Sequence, residues 1–228
     1  MSGAAKQEII FDSSTIIAVS NSCIINILGA LKKNSGAGFV IPSGVEHETV
    51  IRPLSIKKFE LNAVRIKRAI ESGMFEVDRR GLSGLNERIS SLANNAFFAG
   101  NNPIELIQLG EIESLALMIK RNAKILAIDE RTARLIIENP KGLKSLMERR
   151  HGVRLSADWS RLNELREMFS GTTVVRSTEL IASAFRRNLF MPELEQSRQG
   201  LEAALFAVKF NGCAVTTSEI EHFLADEK

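Results

Sequence analysis

Tyrosine is missing from this 228-residue chain, tryptophan occurs once, and 12 phenylalanines bring the aromatic share to only 6%. The missing tyrosine removes one common stacking residue and argues against recognition of single strands on an aromatic platform. Cysteine is scarce too: Cys23 and Cys213 stand far apart, which excludes a disulfide framework. The three histidines, His47, His151 and His222, share no metal-ligand spacing with them, so both thiols read as buried packing atoms of a reducing cytoplasm. A dominant charge is lacking as well. Thirty Lys and Arg face 27 Asp and Glu, a net charge of +3 that excludes a basic tail or a nonspecific DNA coat. Apolar runs such as Thr15 to Ser20 fall far short of the roughly 20 residues that cross a bilayer. The N-terminal Met-Ser-Gly-Ala-Ala-Lys-Gln-Glu has no signal-peptide core, and no repeat or low-complexity segment occurs. The expectation is a soluble, cytoplasmic protein without membrane attachment.

What is present is the material for a packed core, 44% hydrophobic residues, enough for one large domain or a standard domain with an elaboration. Ile9-Ile10-Phe11 reads as a strand buried on both faces, followed by an apolar helical segment from Thr15 to Leu31 that Ser13 or Ser14 can cap. Phe39 to Pro42 reads as a second strand, and a helix starts near Gly44. Ile56 to Ser72 carries Phe59, Leu61, Val64, Ile66, Ala69 and Ile70 at helical spacing. A short strand at 74–78, a helix at 85–98 and a loop at 100–103 precede a helix from Gly110, a strand at 123–129 and a helix at 131–137. Further on come a strand at 172–175 and helices at 179–189, 193–210 and 218–225. Strands alternating with helices predict an α/β fold with a parallel sheet and right-handed crossovers.

Two strands end in aspartate, Asp12 and Asp129. Ligands of open α/β sheets bind beyond the carboxyl ends of strands, where strand order reverses. Glu48 lies one turn into the helix after the second strand, and Glu111 and Glu113 open the helix before the Asp129 strand. Gathered at one end of a sheet, such carboxylates raise one another's pKa values. A hard divalent cation relieves that repulsion, and an all-oxygen donor set suits Mg²⁺ or Mn²⁺. Each acid also has a plainer use: Asp12 and Asp129 as helix caps, Glu111 and Glu113 as partners of a helix dipole, Glu48 as a solvated acid beside Glu46. Glu130 reads as an ordinary first-turn acid and His47 as a partly exposed helix residue, while His151 and His222 suggest no role.

Four stretches carry a resemblance: Ile-Ile-Phe-Asp-Ser-Ser (9–14), Ile-Pro-Ser-Gly-Val-Glu-His-Glu (41–48), Gly-Glu-Ile-Glu-Ser-Leu-Ala-Leu (110–117) and Ile-Leu-Ala-Ile-Asp-Glu-Arg-Thr-Ala-Arg (125–134). In this order they resemble PIN domains, in particular the archaeal and bacterial branch with a Gly-Glu-x-Glu motif, and with them VapC-like ribonucleases. The likeness covers about 8–138 and 172–190. It implies a three-layer fold with a central parallel sheet flanked by helices, and a metal-dependent endoribonuclease that uses Mg²⁺ or Mn²⁺. Asp12, Glu48, Glu111 and Asp129 match the family's acidic quartet, with Glu113 as the second choice for the third acid. Ser14 matches a small hydroxyl residue that orients the first carboxylate or a bound water. Implied partners are an RNA substrate and, for the toxin members, an antitoxin protein.

The chain departs from that pattern twice. A helical segment at 139–172 interrupts a domain expected over 1–190, and a helical extension follows at 191–228. The inserted segment holds Lys141, Lys144, Arg149, Arg150, Arg154, Arg161 and Arg166 against Glu148, Asp158, Glu164 and Glu167, so the whole positive excess falls inside it. Arg149, Arg150 and Arg154 are candidate grips for RNA phosphates, or else a solvated face. Trp159 is expected to be buried under the inserted helix. The added helices also suit a noncatalytic RNA-binding or assembly module, or a homo-oligomer. The extra length favours a role in RNA processing or decay as much as a toxin. A haloacid-dehalogenase type of phosphotransferase fits poorly, because position 14 is Ser where that chemistry uses a second Asp.

Overall fold

The computed structural model describes residues 7–226; residues 1–6, read above for a leader, lie outside that range. In chain order the first half contains β1 (Glu8–Phe11), α1 (Ser13–Asn21), α2 (Ile25–Ser35), β2 (Gly38–Pro42), α3 (Ser43–Glu46), α4 (Lys57–Glu71), β3 (Glu76–Asp78), α5 (Ser83–Ala93), β4 (Phe97–Ala99) and β5 (Asn102–Pro103). The second half contains α6 (Leu109–Arg121), β6 (Ile125–Ala127), α7 (Arg131–Glu138), α8 (Pro140–His151), β7 (Ser156–Ala157), α9 (Trp159–Met168), β8 (Thr173–Val175), α10 (Ser177–Arg186), α11 (Arg198–Phe210) and α12 (Thr217–Asp226).

Five strands form one parallel sheet in the order β3-β2-β1-β6-β8. Successive side chains of a strand leave opposite faces, and here both faces are covered. Phe11, Phe39, Ile41 and Ala127 enter a core shared with α1, α2, α10, α11 and α12. Their neighbours Ile10, Val40 and Leu126 enter a second core with α5, α6, α7, α8 and α9. The result is a three-layer α/β fold: the alternation of elements predicts its parallel sheet, and the resemblance implies its three layers. From β1 the chain winds outward through β2 and β3, then returns to pair β6 on the other side of β1. Strand order therefore reverses between β1 and β6, where such sheets open their ligand crevice.

The inserted segment is woven into the second core through Leu143, Met147, Leu162, Leu165 and Phe169. Its β7 also pairs antiparallel with β4, which in turn pairs β5 across the turn expected as a plain loop. The C-terminal helices enter the first core through Leu201, Leu205, Val208, Ile220 and Leu224. Among the described residues no single helix is long and apolar enough to cross a membrane.

Several sequence expectations need correction. The apolar segment from Thr15 to Leu31 is two helices bent by 119°. Ser and Asn side chains compete with helical backbone bonding, and here the Ser22 hydroxyl donates to the Ala18 carbonyl while Cys23 takes a left-handed φ of 61°. Cys23 consequently stands exposed, whereas Cys213 is buried as expected. The helix read at 85–98 ends at Ala93, because the Asn94 carboxamide turns to bond Leu106 and Ile107. The helix read at 193–210 starts only at Arg198, capped by the Ser197 hydroxyl. On α4 it is Ala63, Ile66 and Ala69 that are buried, while Phe59, Leu61 and Val64 are exposed. Trp159, at the first position of α9, is 40% exposed rather than buried.

The tail shares its core with the sheet, so truncating it from within should be costly. Leu205→Ala is expected to lower stability by about 2–5 kcal/mol, the range for a buried Leu. Urea denaturation measures this, and a loss well below 1 kcal/mol would show the tail to be an appendage.

Candidate functional site

Each acid at the carboxyl end of the sheet is positioned by its own local device. Asp12 follows β1 directly, its backbone N–H bonded to the Ala127 carbonyl of β6 at 2.9 Å. Its side chain caps α1: Oδ2 accepts from the Ser14 N–H at 2.9 Å and from the Ser14 hydroxyl at 2.6 Å. Oδ1 lies 3.4 Å from the Ser114 hydroxyl on α6. Ser14 thus orients the Asp12 carboxylate, as the resemblance implies, and its oxygen also accepts from the Asp129 N–H at 3.0 Å.

Glu111 closes a capping box at the start of α6, where its Oε2 accepts from the Gln108 N–H at 2.7 Å. Glu48 rides on a π-helical turn, His47–Ile51, that continues α3; such turns recur at functional sites. Its approach depends on Gly110, since a Cβ there would sit 2.6 Å from Glu48 Oε2. Glu130 caps α7, Oε2 accepting from the Ala133 N–H at 2.9 Å. These four acids line one cleft of about 640 Å³, whose wall also includes Glu105, which is exposed, and Gln108, Thr132, Arg150 and His151.

Two of the proposed site residues turn elsewhere. Asp129 is fully buried, and its Oδ1 accepts from the Ser177 N–H at 2.7 Å at the start of α10. It also meets the Cys213 thiol, which burial first and the Asp129 charge second push up to about 12. Glu113 reaches back to cap α3, Oε2 accepting from the Gly44 N–H at 2.7 Å. It faces a neighbouring cavity of about 630 Å³. Of the pair on α6, then, Glu111 is the acid in the cleft. At the end of β6 the cleft acid is Glu130, one residue beyond Asp129.

Electrostatics follow from this crowding. Two unit charges about 4 Å apart at an effective dielectric near 20 repel by roughly 4 kcal/mol, so closely placed carboxylates retain protons. Burial, with a further push from the Glu48 charge, raises Asp12 to about 6 despite the Ser14 hydrogen bonds that oppose it. Glu111 is raised to about 8, first by burial and then by the charges of Glu130 and Asp12, against the Gln108 hydrogen bond. Asp129 is raised by burial, with the Ser177 contacts opposing. Among the described residues no group of three or more His, Cys, Asp or Glu side chains has the spacing of a formed metal site. The acids on the cleft nevertheless offer oxygen donors, and a divalent cation would replace the proton that Glu111 otherwise holds at neutrality.

Of the three arginines offered as phosphate grips, Arg150 lines the acid cleft. Arg149 lines, with Arg150, a shallower hollow of about 420 Å³ beside Glu130. Arg154 is exposed near Glu148 and borders neither. Sequence reasoning passed over Glu130 and His151. Glu130 was legible as one of two adjacent acids after a strand, of which the helix cap turned out to face outward. Nothing in the sequence announces His151, because α8 has to fold back before its end meets the cleft. No protein-family model matches the chain, and neither does any curated protein or solved structure.

Two outcomes are expected. Glu130→Gln should weaken Mn²⁺ binding, measured by calorimetry, about tenfold or more, and Asp129→Asn by less than about threefold. The reverse order would return Asp129 to the cleft. Secondly, the native state holds more protons on Asp12 and Glu111 than the unfolded chain does, so their contribution is full below about pH 4 and is lost as pH rises through about 6 to 8. In chelator, the melting temperature of the wild type should therefore fall across that window more steeply than that of Glu111→Gln; parallel profiles would refute the assignment.

Proposed function

We propose that the chain is a divalent-metal-dependent endoribonuclease of the PIN type, working at the Asp12–Glu48–Glu111–Glu130 cleft. The observation that carries this reading is five acids on one cleft, Glu105 with Asp12, Glu48, Glu111 and Glu130, one of them raised to about 8, at a strand-order reversal of a parallel sheet. Arg150 alone does not balance these acids, and Mg²⁺ or Mn²⁺ would supply the missing positive charge. The resemblance of the four sequence stretches to PIN domains supports the same conclusion.

Mg²⁺ or Mn²⁺ held by Asp12, Glu48, Glu111 and Glu130 would lower the pKa of a water and stabilise charge building on a phosphodiester. The chain's own residues set the geometry. Ser14 and Ser114 fix the Asp12 carboxylate from two sides, so it meets a ligand without reorganising. Glu111 and Glu130 approach one another across the cleft, each with one oxygen already fixed by a backbone N–H. Each can present its second oxygen inward. Arg150 and His151 line the same cleft from the end of α8, where the guanidinium would pair with a phosphate of the RNA backbone. Contacts of this kind give affinity and salt dependence without base choice.

Cleavage of total RNA with Mn²⁺ tests the reading. Asp12→Asn should reduce the rate at least about a hundredfold, the scale of losing one electrostatic contributor, and Arg150→Gln should lower the salt slope of RNA binding by about one. RNA binding without cleavage by the wild type, at any Mg²⁺ or Mn²⁺ concentration, would leave a noncatalytic RNA-binding module in place of the enzyme.

A further inference from the structure

A second polar site lies outside the acid cleft, between the start of α2 and the last turns of α4. It is a cavity of about 410 Å³ lined by Cys23, Asn26, Arg65, Arg68 and Ser72 among others. It shares Asn26, Ser72 and Met74 with an adjoining cavity of about 600 Å³ that Lys32 and Lys33 border. No Asp or Glu lines either one. Their sizes fall in the range of roughly 300–1,000 Å³ typical of small-molecule sites.

Arg65 and Arg68 are not alone in lacking a carboxylate, but they line one acid-free cavity together. Arg79, Arg80, Arg121 and Arg176 each hold a carboxylate. Among the described residues Arg65 and Arg68 have no such partner; Arg65 Nη1 instead donates to Cys23 Sγ at 3.3 Å. The nearby acids are engaged elsewhere: Glu71 with Lys67 at 3.7 Å, and Glu193 with the Asn26 carboxamide at 2.7 Å. The Lys32 ammonium donates to the carbonyls of Gly73 and Met74 at 2.7 and 3.0 Å, at the lip of the same groove. A cation in the last turn of α4 is favoured by the helix dipole, which accounts for Arg68. It does not account for Arg65 one turn earlier, where like charges on one helix face repel. An anion between them removes the repulsion, and paired guanidinium forks match the oxygens of a phosphate.

We propose that this groove binds a phosphate-bearing ligand whose oxyanion sits between Arg65 and Arg68, beside the Cys23 thiol. A nucleoside polyphosphate and the phosphorylated end of an RNA strand offer the same chemistry. The site does not depend on the nuclease reading, since it uses none of the cleft residues.

Cys23 provides the local readout, because it is exposed within the groove while Cys213 is buried. N-ethylmaleimide labelling, followed by mass spectrometry, is measured in chelator with pyrophosphate, ATP, a 5′-phosphorylated short RNA and the same RNA without the phosphate. At millimolar concentration at least one phosphorylated probe should slow Cys23 modification about tenfold, equivalent to occupancy near nine-tenths. Arg65→Gln with Arg68→Gln should abolish that protection and weaken calorimetric binding of the same probe by about tenfold or more. Protection by ATP or pyrophosphate assigns a small phosphate; protection by the phosphorylated RNA alone assigns a strand end. The proposal is overturned if no probe protects Cys23, if the unphosphorylated RNA protects equally, or if protection survives in the double variant. The same labelling on Asp12→Asn separates this site from the cleft: protection there should be unchanged, and its loss would also overturn the proposal.

Discussion

The Ser14 hydroxyl is the small joint on which the carboxyl end of the sheet depends. It donates to Asp12 at 2.6 Å and accepts from the Asp129 backbone at 3.0 Å, so one oxygen ties the ends of β1 and β6 together. That junction fixes where α1 and α7 begin, and with them the directions of the Asp12 and Glu130 side chains. Asp129 completes it from below by accepting from the start of α10, while its carbonyl accepts from Ala214 in the tail. Asp129 therefore has structural work at the same strand end where Glu130 has an outward one. Adjacent acids divide between holding the loop and facing the cleft.

The cleft above this junction is electrostatically unfavourable when nothing is bound. Asp12 is buried and pushed up to about 6, and Glu111 to about 8. A protein that needed only helix caps could have used Ser or Asn at these positions without the repulsion. The unfavourable charge is tolerated because three of the acids have a second, local contact: Asp12 with the Ser14 hydroxyl, Glu111 with the Gln108 N–H and Glu130 with the Ala133 N–H. Preorganisation of the donors and instability of the empty cleft are the same fact viewed from two sides.

Much of the fold was legible because the sheet is covered on both faces and its strands read as continuous apolar runs. The parallel architecture, the two helices of the insertion and the start of α6 all followed from local pattern. What pattern missed was set by tertiary contacts. Asn94 stops α5 for the sake of Leu106 and Ile107, and the polar run Ser20-Asn21-Ser22 turns the chain between α1 and α2. At the site, Asp12, Glu48 and Glu111 reached the cleft as read, since strand and helix ends fix their positions. Asp129 and Glu113 did not. A one-residue step at a strand end, or two residues on a helix, reverses the direction of a side chain, and sequence spacing alone does not resolve that step.

Asp12, Glu48, Glu111 and Glu130 come to the cleft from four separated segments, and β1 reaches its partner β6 only after more than a hundred residues of chain have been laid down. Closing so long a loop is slow relative to local helix formation. The repulsion among Asp12, Glu48, Glu111 and Glu130 therefore arises late, at the step that joins the two halves of the sheet. A dication held there, as proposed, would lower the final barrier as well as the energy of the folded state. The β1–β6 seam itself lies at the middle of the sheet with Ile10, Phe11, Leu126 and Ala127 wholly buried, so the repulsion above it loosens the loops and helix ends that carry the acids before it touches the strands.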